Sequence, residues 1–178
     1  MKILKCILIG LTLSFISCAE MGLKPHQPKI KSTIAIAKSQ GLYRIISIKG
    51  DSASVEKTLN NDLISCGSTT FSMPRGNNVR TFMREVFDQE LKTAEKLSTS
   101  GTGISIIVKG MDLKTMNKES GEWSMDIDYI VDDQTYNVKN TIEFDSKVSL
   151  ITSCTHTASV FEDALADNLV EFFKRHRY

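Results

Sequence analysis

Between Val79 and Leu97 apolar side chains recur at Val79, Phe82, Met83, Val86, Phe87, Leu91, Ala94 and Leu97. Apolar positions three and four apart form one stripe on a 3.6-residue helix, so the spacing predicts an amphipathic helix of about five turns. Asn77 or Asn78 stands where an N-cap belongs, and Arg84 and Asp88 have the i,i+4 spacing of an ion pair. The same period returns in Val160, Phe161, Ala164, Leu165, Leu169, Phe172 and Phe173, and closes on "KRHRY", whose charge suits a helix C-terminus.

Between these helices the period changes to two. "EWSMDIDYIVDD" sets Trp123, Met125, Ile127, Tyr129 and Val131 on one face and Ser124, Asp126 and Asp128 on the other. "TYNVKNTIEFDS" alternates likewise through Tyr136, Val138, Ile142 and Phe144, and "GISIIVKGMDLKT" is β-rich, with Gly110 marking a bulge. The short turns "NKESG" and "DDQ" predict an antiparallel meander with one buried face. Ahead of the first helix, "TIAIAKSQGLYRIISIKGD" holds two β-rich runs around Gly41, the stronger being Leu42–Lys49. Val55, Leu59 and Leu63 then mark a helical stripe closed by Cys66-Gly67, with "STTFSMPRG" as a connector. The pattern predicts an α+β fold: a two-layer sandwich in which an antiparallel three- to four-stranded meander is packed by two main helices.

The amino terminus alters where this domain begins. "MKILKCILIGLTLSFISC" has Lys2 and Lys5 before an apolar run from Cys6 to Ile16, followed by Ser17 and Cys18. A basic start, a short apolar stretch and a small residue at the cut describe an export signal, too short to span a bilayer comfortably. Ending on Ser-Cys, it resembles the signal of a bacterial lipoprotein. That resemblance implies a signal at residues 1–17, acylation of Cys18, and anchorage in the bilayer through its acyl chains. Ordinary cleavage nearby is the competing reading. With Ala19 and Glu20 after the cysteine, likeness to enteric sorting favours the outer membrane, facing the periplasm. "AEMGLKPHQPKIK" reads as a solvated tether, so residues 18–31 are taken as tether and 32–178 as the single folded domain. Losing Lys2 and Lys5 leaves 20 basic against 21 acidic residues, which gives no reason to expect nucleic acid.

Chemistry enters through the cysteines. Of four, Cys6 leaves with the signal and Cys18 takes lipid, so Cys66 and Cys154 remain in an oxidising compartment that favours a disulfide. The competing reading pairs a reactive Cys154 with His156 at a helix start. Asp126, Asp128, Asp132 and Asp133 lack a calcium-loop spacing. His26, His156 and His176 fall in a tether, a helix start and a tail, with no zinc spacing. "GTG" at Gly101–Gly103 reads as a turn, and no nucleophile elbow, P-loop or dinucleotide fingerprint occurs. No metal, cofactor or catalytic residue is therefore expected.

Cys66, Pro74, Gly76, Phe82, Gly121, Trp123, Cys154 and Phe161 carry a further resemblance. They match a group of small, largely uncharacterised bacterial lipoproteins with a cysteine before a P-G-x-x-F helix, a G-x-W strand, and a second cysteine at the last helix. The layout is also similar to auxiliary lipoproteins of envelope lipid-transport systems. These likenesses imply a non-catalytic, membrane-anchored component that binds an envelope protein or supports an assembly. Alternatives are a small-molecule or lipid-binding module, a toxin-neutralising protein, and a thiol-dependent enzyme.

Overall fold

The computed structural model describes residue 23 and residues 25–66, 69–117, 120–145 and 150–176. The expected signal, Cys18 and residues 19–22 and 24 of the expected tether lie outside the described residues. The elements in chain order are α1 (Ile30–Ala37), β1 (Tyr43–Gly50), α2 (Ala53–Leu59), β2 (Leu63–Cys66), β3 (Thr69–Ser72) and a 3₁₀ turn (Pro74–Gly76). There follow α3 (Val79–Thr93), β4 (Thr102–Asn117), β5 (Ser120–Val131), β6 (Gln134–Asp145) and α4 (Leu150–Arg175).

The main sheet has the order β1-β4-β5-β6. β4, β5 and β6 form the expected antiparallel meander, while β1 lies parallel to β4. A parallel neighbour requires a crossover, here supplied by α2, the β2–β3 hairpin and α3. Gly110 sits at a register shift between β4 and β5, as its bulge reading expects. Asp132 and Asp133 make the two-residue turn from β5 to β6 with φ of 47° and 62°, the left-handed pair that a primed hairpin turn needs.

The alternation in β5 buries Trp123, Met125, Ile127, Tyr129 and Val131, as the pattern predicts. Opposite them lie Phe82, Met83, Val86, Phe87 and Leu91 of α3 and Phe161, Leu165, Leu169, Phe172 and Phe173 of α4. At one end of α4, Phe161 packs on Trp123 with centroids 4.9 Å apart, and the Trp123 indole N–H donates to the Thr157 carbonyl at 2.9 Å. At the other end, Phe172 stacks on Tyr129 at 4.5 Å. Between them Asn168 accepts from the Tyr129 hydroxyl at 2.8 Å and donates to Asn140 Oδ1 at 2.6 Å, which fixes α4 over β5 and β6. A buried amide with each polar atom partnered sets register that apolar contacts alone leave loose.

Three local expectations are corrected. "TIAIA" is not a strand; it lies within helix α1, because Ser32 and Ile36, four apart, are buried against the core and packing overrides β-branched propensity. The stripe at Val55 and Leu59 stops at Asn60, and Leu63 begins a strand paired with the segment read as a connector. The helix from Val79 ends at Thr93, with Glu95 at φ 57°, so Leu97 lies beyond it and is partly exposed. Asn78 caps it in a reciprocal arrangement with Thr81.

Two glycines mark close approaches. A Cβ on Gly50 would fall 2.5 Å from the Glu56 backbone nitrogen, so only glycine lets α2 sit against the end of β1. Gly121 lies under the ring of its cross-strand neighbour Phe144, where a Cβ would meet the ring at 2.6 Å.

Candidate functional site

The described chain ahead of α1 does not hang free. Leu23 is buried, and its N–H donates to the Ser72 carbonyl at 3.0 Å, at the end of β3. His26, expected in a solvated tether, has its side chain 4% exposed between α3 and α4. Its Nε2 lies 2.8 Å from Glu90 Oε1 and its Nδ1 2.5 Å from Glu162 Oε1. Two carboxylates facing both ring nitrogens call for two N–H donors, which only the imidazolium provides. Burial opposes that charge, but the hydrogen bonds to Glu162 and Glu90 prevail and raise the pKa to about 9. Lys29 adds an exposed pair with Asp163 at 2.6 Å, one residue beyond Glu162.

This cluster was missed because a proline-flanked segment without periodicity carries no core signal. A trace of it did exist: Glu90 stands on the apolar stripe of α3, four residues after Val86, and is completely buried. A charge on a core stripe demands a partner.

Cys66 and Cys154 are joined in a disulfide with Cα atoms 5.8 Å apart, linking the β2–β3 hairpin to α4. α4 starts at Leu150, so Cys154 lies inside the helix rather than at its first residue. With its sulfur bonded, Cys154 is not a thiolate beside His156. His156 is exposed and makes an edge contact with Phe144.

Of the four aspartates, the two on β5 are paired. Asp126 faces Lys139 at 2.7 Å and Asp128 faces Lys109 at 3.0 Å, while the Asn137 amide donates to both carboxylates. These contacts outweigh burial and hold the Asp126 carboxyl below its usual range. Among the described residues there is no group of three metal-capable side chains. His176, expected in a frayed tail, stacks on Phe172 at 5.3 Å and meets Tyr43 and Tyr136 edge-on; burial lowers its pKa.

The outer edge of β1 is occupied by α3. Arg84 donates to the carbonyls of Ile45 and Ile46 at 2.7 and 3.2 Å, and Arg80 to Ile48 at 2.6 Å. Arg84 thus turns to the strand rather than forming the expected pair with Asp88, whose carboxyl burial pushes up. Arg80 also pairs with Glu56, which accepts the Gly50 N–H at 2.7 Å; together these hold the Glu56 carboxyl low. Guanidinium caps on edge carbonyls discourage strand addition there.

The open surface features among the described residues include a cleft and an apolar groove. A cleft of about 420 Å³ is lined by Gln40, Tyr43, Thr102, Val131, Tyr136 and His176 among others. On the other side of α4, α1 exposes Ile30 and Ile34. No described helix is long and apolar enough to cross a membrane.

No family model and no curated protein matches the chain. Among solved structures it is similar to protein XCC0632 from Xanthomonas campestris, of family DUF330, with 12% identity and a TM-score of 0.53. That likeness covers 76% of this chain and 84% of the other. A crystal structure described as an uncharacterized protein is similar at 8% identity and TM-score 0.49, over 75% of this chain and 90% of that one. At such identity the likeness to the Xanthomonas protein is one of fold. It agrees with the resemblance to uncharacterised bacterial proteins; the lipoprotein motif lies outside the described residues.

Proposed function

We propose that this chain is a bacterial envelope lipoprotein, anchored through acylated Cys18, whose domain holds a protein partner rather than catalysing a reaction. The observation that carries the reading is the docked segment at Leu23 and His26. A chain restrained through its amino terminus needs that terminus fastened to the domain, and here two helices supply carboxylates to fasten it. The disulfide supports an oxidising compartment. Cys66 with Cys154, His26 with Glu90 and Glu162, and Asp126 and Asp128 with lysines are engaged in structural pairs, which supports recognition at the surface. With β1 capped by arginines, the partner would meet β6 or the polar face of β4–β6.

Metabolic labelling with an alkyne-bearing fatty acid tests the anchor: wild type takes up label and Cys18→Ser does not. Chemical cross-linking in intact cells, then purification after gentle solubilisation, tests the partner. Recovery of the same envelope protein supports the reading, and repeated recovery of this protein alone overturns it. A small-molecule function is the second reading, favoured by the aromatic cleft at Tyr43, Tyr136 and His176. Its expectation is a ligand retained through purification and lost in Tyr136→Ala.

A further inference from the structure

We infer that α1 is a membrane-contact helix, laying its outer face on an anionic lipid surface beside the anchor; this rests on the lipoprotein reading. α1 buries Ser32 and Ile36 toward the core and presents the row Ile30, Ile34 and Lys38 outward, with Lys31 and Ala35 alongside. Ile30 is 80% exposed and Ile34 52%, a high exposure for two neighbouring isoleucines. They border an open groove completed by Ala35, Val170, Lys31, Lys38 and Lys174. Apolar side chains at the centre of a lysine rim match the boundary between acyl chains and anionic headgroups.

The neighbouring charges are consistent with that polarity. Glu171 on α4 pairs with Lys174 at 2.5 Å, Asp163 pairs with Lys29, and Asp167 lies on the β6 side of α1. Lys31 and Lys38 have no carboxylate within ion-pair distance among the described residues.

Placement selects the bilayer over a soluble partner. Four residues separate Cys18 from the docked Leu23, a span of about 17 Å at full extension. His26 and Lys29 then fasten the chain to Glu162 and Asp163 of α4, and α1 begins at the next residue. α1 runs along α4 from there toward Val170 and Lys174. The exposed isoleucines therefore follow directly on the docked segment through which the anchor chain reaches the domain.

The test uses the full chain purified from membranes and reconstituted into vesicles with brominated acyl chains, either all phosphatidylcholine or with phosphatidylglycerol. Trp123 is the single native tryptophan and is buried, so an indole introduced by I34W, or in parallel by I30W, reports its own surroundings. Expected are flotation with both kinds of vesicle, and blue-shifted, bromine-quenched emission of the introduced indole with phosphatidylglycerol. Adding K31Q and K38Q should remove most of that quenching without affecting flotation. Protein that floats while the introduced indole stays unquenched overturns the membrane-contact helix and leaves the anchor intact. Protein left behind by every vesicle overturns the anchor and this inference with it. A blue shift that grows with protein concentration without lipid assigns the face to a second copy and also overturns it.

Discussion

His26 fixes the charge state of its own neighbourhood. Its folded pKa, about 9, lies above the usual 6.5, so its contribution is complete below about pH 6.5 and declines as pH rises through about 9. A difference of that size corresponds to at most about 3 kcal/mol. Urea unfolding between pH 6 and 10 should show wild-type stability falling across that window, and His26→Ala should be flatter there. The variant also strands the buried Glu90 carboxylate, an arrangement that costs several kcal/mol. His26→Ala with Glu90→Leu should therefore be more stable than His26→Ala alone; equal or lower stability would contradict the pairing. His176 slopes the other way, since burial lowers its pKa. The stability gained from keeping it neutral is present above about pH 6.5 and lost in acid. At this scale the two domain cysteines were legible because elimination left one pair. The partner of Glu90 was not, because it comes from a segment whose contacts are polar and singular.

Among the elements, long ones were legible in full and short ones only in part. The stripe of α3 and the alternation of β5 each repeat often enough to outweigh local accidents. By contrast α1 spans 8 residues, a length at which isoleucine, threonine and alanine fit either period, and the strand that follows the expected helix at Val55 and Leu59 spans only 4. Their identity comes from what they pack against, which a local pattern does not contain. The parallel placement of β1 was hidden for the same reason, since nothing in "YRIISIK" states its neighbour. Its arginine caps lead to a specific expectation. Arg80→Ala with Arg84→Ala uncovers the Ile45, Ile46 and Ile48 carbonyls, costing about 1–3 kcal/mol for each one left unsatisfied. Light scattering should then show self-association through the freed strand edge, while lysine replacements, keeping charge but only part of the hydrogen bonding, give an intermediate response.

For the whole molecule the crosslink matters most. Cys66 and Cys154 are 88 residues apart, and closing such a loop is worth about 4–5 kcal/mol by restricting the unfolded chain. Cys66→Ala with Cys154→Ala should lower unfolding stability by about that amount, and a reductant should do the same to wild type with little change in the folded circular dichroism spectrum. The loop encloses the β2–β3 hairpin's second strand, α3 and the whole meander, so one bond bounds most of the core. The architecture itself followed from the order of periods along the chain: helix, three strands, helix. The mixed sheet did not, because the pairing of β1 with β4 across the crossover leaves no trace in the local period of either strand.

The attachment at Leu23 has a mechanical consequence. A pull applied to the amino terminus enters the domain at the Ser72 carbonyl and at two carboxylates on different helices. From Ser72 the force passes along a short hairpin to Cys66, and through a covalent bond to α4. Tension is thereby delivered to the longest helix by shear, spread over several contacts, and the four-stranded sheet is spared from being peeled one rung at a time. The crosslink then serves as a strain relief, taking the pull so that the four strands of the main sheet keep their shape.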